Sequence, residues 1–245
     1  MAVTARMAIT GRFSRCSAVD TGSGYKRRPR EGGHALDPKR IVEEGYDELG
    51  SRYLDWTASH EPGVREWFLD EVLQRLPAGA DVLELGCGPA TVSQRLADGR
   101  RYTGVDLSAA QLSIARERLP DAAFIQGDLT TMELPGSSFH AVVAFFVFNH
   151  VPRAEHAPTF ARVFSWLRPR GRFMLSLGAG DTEDEVQEDW LGVPMFFAGF
   201  EPEANEQALL DAGFELELSE TRSEFELGHG EATFHWVIAR KPVPR

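Results

Sequence analysis

From Asp81 onward the chain alternates, five times in succession, a short apolar strand pattern with a helical pattern. The strand runs are 81–85, 101–105, 123–126, 141–148 and 172–177. Between them lie a helix through about Leu96, a helix carrying Leu112, Ala115 and Leu119 on one face, and a helix set by Phe160, Val163, Phe164 and Leu167. Ser108 and Gln111 form a Ser-x-x-Gln capping box that opens the second of these. Such alternation implies βαβ units and a parallel sheet covered on both faces, and 141–148 reads as its central strand. Helical spacing also precedes it, at Val42, Tyr46, Leu49 and Tyr53 and again at Val64, Trp67, Phe68 and Val72. After it come a helix over 202–212, stopped by Gly213, and two runs, 214–218 and 233–239, that read as an antiparallel edge hairpin.

With 42% hydrophobic residues the 245-residue chain can bury a sizeable core. It contains no apolar run of about 18 residues, so no transmembrane helix is expected, and no signal-peptide stretch opens it. Cys16 and Cys87 are too few for a disulfide framework or a metal cluster. The net charge of −11 is unevenly placed: residues 1–40 sum to about +6 and the remainder to about −17. An acidic body repels a polyanion, which argues against nucleic acid as a partner. Residues 1–40 lack any apolar period and read as a disordered basic leader, Lys26-Arg27-Arg28-Pro29-Arg30 included, ahead of one domain over 41–245. The expectation is a soluble cytoplasmic domain of undetermined oligomeric state.

The chemistry concentrates after the first strand. Gly86 and Gly88 make a turn in which the backbone can approach a ligand closely. Asp106, 20 residues after Gly86, ends the second strand, where a carboxylate can accept both hydroxyls of a ribose. Two features separate this from a dinucleotide site. Thr91 stands where a third glycine belongs, and Glu84, two residues before the loop, repels a pyrophosphate but suits an ammonium or sulfonium.

Glu84-Leu85-Gly86-Cys87-Gly88-Pro89 resembles the first motif of class I S-adenosylmethionine-dependent methyltransferases. Val105-Asp106-Leu107-Ser108 resembles their second, Gln126-Gly127-Asp128-Leu129 their third, and Leu167-Arg168-Pro169-Arg170-Gly171 the stretch before their fifth strand. Ala90 and Arg170 replace frequent glycines, and His140 the usual acid before strand four. The resemblance, from about residue 41 onward, implies an α/β Rossmann-like seven-stranded sheet of order 3-2-1-4-5-7-6, strand 7 antiparallel, with helices on both faces. It also implies S-adenosylmethionine as cofactor. By position, Glu84 orients the loop and the methionine amino group, directly or through water, Gly86 and Gly88 clear room, and Asp106 takes the ribose hydroxyls. Leu107 packs on the adenine, Asp128 accepts from its amine, and the Leu129 N–H meets a ring nitrogen, with Gly127 and Phe145 beside them. Tyr46 and Tyr53 either close over the methionine end or are core packing of an amphipathic helix.

Methyl transfer requires alignment and a dry site, and a base only for a protonated acceptor. His150, after the fourth strand, is the candidate base; the alternative is a histidine bonded to backbone before Pro152. No Asp/Asn-Pro-Pro-aromatic motif of nucleic-acid amino-methylating enzymes occurs here. The segment 181–200 combines six acids with Trp190, Met195, Phe196, Phe197 and Phe200, and reads as an irregular lid over an acceptor pocket. Phe146, Trp190, Met195 and Phe197 are the candidate acceptor contacts. The expected activity is methyl transfer to an O, N or C atom of a small molecule, with a role in secondary metabolism. The alternatives are a methyltransferase acting on a protein or tRNA, and a non-catalytic S-adenosylmethionine or S-adenosylhomocysteine binder. No metal and no membrane partner is expected.

Overall fold

Side chains along the central strands point alternately to two buried layers, as a sheet covered on both faces demands. In β1 (Asp81–Leu85), Leu83 and Leu85 enter one layer and Val82 the other; in β4 (Phe139–Ala144), Val142 and Ala144 oppose Ala141 and Val143. The computed structural model describes residues 37–58, 63–226 and 230–244. The leader expected over 1–40 lies outside the described residues, apart from its last four.

The main sheet has the order β3-β2-β1-β4-β5-β9-β8, with β2 (Arg101–Asp106), β3 (Ala123–Gln126), β5 (Leu167–Gly178), β8 (Glu215–Glu226) and β9 (Gly230–Arg240). β1 to β5 run parallel, and β9 is antiparallel to both its neighbours. This is the expected 3-2-1-4-5-7-6 arrangement with one further hairpin inserted after the fifth strand.

One face is covered by α6 (Arg153–Trp166) and α7 (Pro202–Asp211) through Phe160, Val163, Trp166 and Leu209. The other is covered by α3 (Val64–Gln74) and α4 (Ser93–Ala97), with Phe68, Val72 and Leu96 packed against Trp236. A third apolar cluster joins α1 (Pro38–Leu49) to the hairpin of β6 (Glu185–Trp190) and β7 (Val193–Phe197). α2 (Ser51–Ala58) follows α1 across Gly50, and α5 (Ala109–Arg118) follows β2.

Three expectations need correction. The helix read from Ile41 begins at Pro38, with Asp37 as its N-cap accepting from the Lys39 N–H at 3.1 Å. Asp-Pro is a helix-start signal, and the basic composition around it obscured it. The fourth strand ends at Ala144 rather than 148: Phe146 turns the chain at φ 58° and a 3₁₀ turn spans Phe148–His150. The segment 181–200 is not irregular, since 185–197 forms the β6–β7 hairpin with its acids exposed and Met195 fully buried.

Candidate functional site

The carboxyl ends of the parallel strands open into a cleft of about 770 Å³ including its open mouth. Its floor is the loop after β1. Gly86 and Gly88 stand at φ 61° and 50°, a left-handed conformation costly to residues with a Cβ. At Gly86 space is decisive as well, because a Cβ there would lie 1.7 Å from Val147 Cγ2. Ala90 occupies the same left-handed region, φ 61°, where the resemblance led one to expect glycine.

Asp106 closes the end of β2 in the cleft wall. Its two oxygens accept from the Gly88 N–H at 2.8 Å and the Ser108 N–H at 2.9 Å, so the carboxylate fixes the glycine loop and the start of α5 together. Burial raises its pKa to about 6 against the opposing pull of those N–H groups. A buried acid in this state gains from further donors. Leu107, Gly127 and Leu129 line the same wall.

Asp128 also lines the cleft, but its carboxylate is already engaged: Lys39 Nζ lies 2.9 Å from one oxygen, and Thr130 donates from N and Oγ1 to the other at 2.8 and 2.7 Å. Burial raises the Asp128 pKa and these donors outweigh it, leaving it below the usual carboxylate range. Lys39 continues to Glu155 at 2.7 Å and Thr130 Oγ1 at 2.6 Å. This lysine, inside the stretch read as leader, pins α1 across the cleft. Asp47 helps, accepting from Ser108 Oγ at 2.6 Å and the Ala110 N–H at 3.0 Å. So does Gln111: its side chain does not complete the expected capping box but donates to the Tyr46 and Gly50 carbonyls, both at 3.0 Å.

Glu84 lies behind the loop rather than on the cleft wall. It is buried and absent from the cleft walls, and accepts from Ser93 Oγ and Tyr102 Oη, each at 2.5 Å. Strand alternation is the reason, since position 84 shares the face of Val82, toward α4. Burial pushes its pKa up to about 7 against the pull of the two hydroxyls. Direct contact with an ammonium in the cleft is not available to it; bracing β2 and α4 behind the loop is.

A family model described as a methyltransferase domain matches residues 82–171, the stretch that carries this loop, Asp106 and Asp128. Over this stretch the chain is similar to S-adenosylmethionine-dependent methyltransferases. A trans-aconitate 2-methyltransferase of Paracidovorax citrulli (strain AAC00-1) is 37% identical over 121 residues, 47% of this chain and 45% of that protein. A malonyl-[acyl-carrier protein] O-methyltransferase of Enterobacter lignolyticus (strain SCF1) is 29% identical, over 64% of this chain and 61% of the relative. Matches of this kind span about half the length of the first curated relatives. Magnesium protoporphyrin IX methyltransferase from Synechocystis PCC 6803, solved with bound SAM, shares the fold with a TM-score of 0.64 at 19% identity, covering 86% of this chain and all of that one.

The other side of the cleft is aromatic. Tyr46, Tyr53, Phe145, Phe146 and His150 all line it. The Phe146 ring packs on Phe234 and Trp236, at 4.9 and 5.5 Å between centroids, and its N–H donates to Ser176 Oγ. His150 Nδ1 faces the Phe196 carbonyl at 2.8 Å, and Nε2 faces Tyr46 Oη at 3.0 Å. A carbonyl only accepts, so Nδ1 carries the proton; with the ring neutral well above pH 4, Nε2 is bare and accepts from Tyr46 Oη. Burial lowers its pKa to about 4, with the Phe196 bond opposing.

That shift sets a pH dependence. The folded value lies below the unfolded one, so the unfolded chain takes up the proton first, and stability present above about pH 6.5 is lost as pH falls toward 4. His156 and His235, also lowered by burial, act in the same direction. Urea unfolding at pH 7 and pH 4.5 should show a smaller acid loss for His150→Gln than for the parent; equal losses would mean that His150 does not titrate this way.

Trp190, Met195 and Phe197 do not line the cleft. Trp190 is 7% exposed and lies behind Tyr46, Tyr53 and His150, at 5.8, 6.3 and 5.9 Å between centroids. Phe197 lies 4.9 Å from the His150 ring, and Met195 packs against Gly45 of α1. These residues support the cleft from outside. Lys39, Val147 and Thr130, which sequence reasoning did not single out, do line it. Of the three, only Lys39 carried a signal, through Asp37-Pro38.

Proposed function

We propose that the cleft binds S-adenosylmethionine and that the chain catalyses methyl transfer to a small-molecule acceptor. The observation that carries this reading is Asp106, a buried carboxylate at the end of β2 tied through Gly88 to a loop with no room for a Cβ at Gly86. The residues fit the cofactor: Asp106 is placed to accept ribose hydroxyls, Gly86 and Gly88 leave space, and Leu107 and Leu129 offer apolar surface for a base. The Gly127 and Leu129 backbone and Asp128 border the same end, with Asp128 shared with Lys39. When bound, S-adenosylmethionine supplies an activated methyl group on a sulfonium centre.

The chain's own part is alignment and exclusion of water. Phe145, Phe146, Tyr46 and Tyr53 give the acceptor side an apolar surface. His150 has both ring nitrogens engaged and a pKa well below neutrality, so it holds Tyr46 Oη in place better than it serves as a free base. A hydroxyl acceptor would therefore meet Tyr46, with the imidazole behind it.

Calorimetry with S-adenosylhomocysteine tests the cofactor reading. The parent chain should bind it and ignore NAD. Asp106→Ala should weaken binding by roughly 1.5–3 kcal/mol, about ten- to a hundred-fold. Binding of NAD, or an unchanged affinity in the variant, overturns the proposal.

A further inference from the structure

The relatives named for trans-aconitate act on a polyanion, and the cleft of this chain is built for a different charge. Among the described residues lining it, Lys39 carries the one positive charge, against the carboxylates of Asp106 and Asp128. The Lys39 ammonium has three acceptors, Asp128 at 2.9 Å, Glu155 at 2.7 Å and Thr130 Oγ1 at 2.6 Å, so its three protons are taken and two acids offset its charge. Arg153, next to the cleft residue Pro152, is engaged in the same way: it bonds Asp181 at 2.6 Å and stacks over the Phe200 ring at 4.1 Å. The remaining acceptor-side wall is Tyr46, Tyr53, Phe145, Phe146 and a neutral His150.

A carboxylate entering this wall loses water and, among the described lining residues, meets no uncommitted cation, with net negative charge nearby. An uncharged ring meets apolar faces, and a cation also meets the π-faces of the tyrosines and phenylalanines. Resting on the methyl-transfer reading above, we infer that the acceptor is an uncharged or cationic molecule with an apolar, ring-sized body, and that polycarboxylates are refused.

Three probes of matched size and different charge test this on the full chain saturated with S-adenosylhomocysteine: 3-phenylpropanamide, 3-phenylpropylamine and 3-phenylpropanoate, titrated by intrinsic fluorescence. The amide and the amine should each bind at least about tenfold more tightly than the carboxylate. Equal or tighter binding of the carboxylate overturns the inference while leaving the cofactor reading standing, and so does failure of all three probes to bind. Failure of S-adenosylhomocysteine itself to bind removes the cofactor reading and the inference with it. Glu155→Gln takes away one counter-charge of Lys39 without altering a cleft-lining residue, so it should narrow the preference about threefold or more; an unchanged preference shows that the charge balance is not its cause. Incubation of the parent chain with S-adenosylmethionine and trans-aconitate should yield no methyl ester, and formation of one overturns the inference directly.

Discussion

Gly86→Ala should abolish useful cofactor affinity and cost the fold several kcal/mol. Two independent penalties meet at this position. The left-handed backbone, φ 61°, costs a residue with a Cβ about 1–2 kcal/mol, and the added methyl, 1.7 Å from Val147 Cγ2, forces an overpacking shift of about 1–3 kcal/mol. That shift displaces the loop whose next glycine donates to Asp106, so S-adenosylhomocysteine affinity should fall on the order of a hundred-fold. Val147→Ala in the same chain removes the clashing methyl but not the backbone penalty. A double-mutant cycle should therefore recover part of the stability and not all of it. Full recovery would show that φ strain is absent, and no loss in the single variant would show that the loop is free to move.

Trp190→Ala should behave as a core deletion. The side chain is buried among Tyr46, Tyr53, Trp56, His150 and Phe197, with centroids about 6 Å away throughout. Its removal should cost roughly 3–5 kcal/mol by denaturant titration. Because these rings support the wall that bears Tyr46, cofactor affinity at low temperature should change less than stability does. A variant with parental stability and only a raised acceptor Michaelis constant would instead place Trp190 in contact with the acceptor.

The difference between Trp190 and Asp106 shows what the sequence could convey. Asp106, Gly86 and Gly88 were legible because strand, turn and acid lie close together in the chain, and local spacing fixes their geometry. The five parallel strands and the three helices among them were legible because period 2 and period 3.6 are local properties, although no helix separates β3 from β4. The inserted hairpin was not. Its first strand, from Glu185, exposes Val186 and buries Trp190 only at its end, so it lacks the alternation that marks a half-buried strand. Which aromatic rings reach the cleft depends on how α1 seats against that hairpin, a contact between segments some 150 residues apart. Glu84 is the opposite case. The motif suggested a role toward the methionine end, and counting two residues back to Val82 assigns its side chain to the layer of α4, where it meets Ser93 and Tyr102.

The seating of α1 has a consequence for synthesis of the chain. Ile41, Val42 and Leu49, buried in the third cluster, leave the ribosome some 150 residues before the Val193 and Met195 of the same cluster. At translation rates of about 5–20 residues per second, that interval is roughly 8–30 s. Throughout it the apolar face of α1 lacks the hairpin, although α5 is already made, and for part of it the Lys39 ion pairs wait on Asp128 and Glu155. The wall bearing α1 is thus completed late, and nascent chains stalled before residue 193 should be the species that engage chaperones and aggregate.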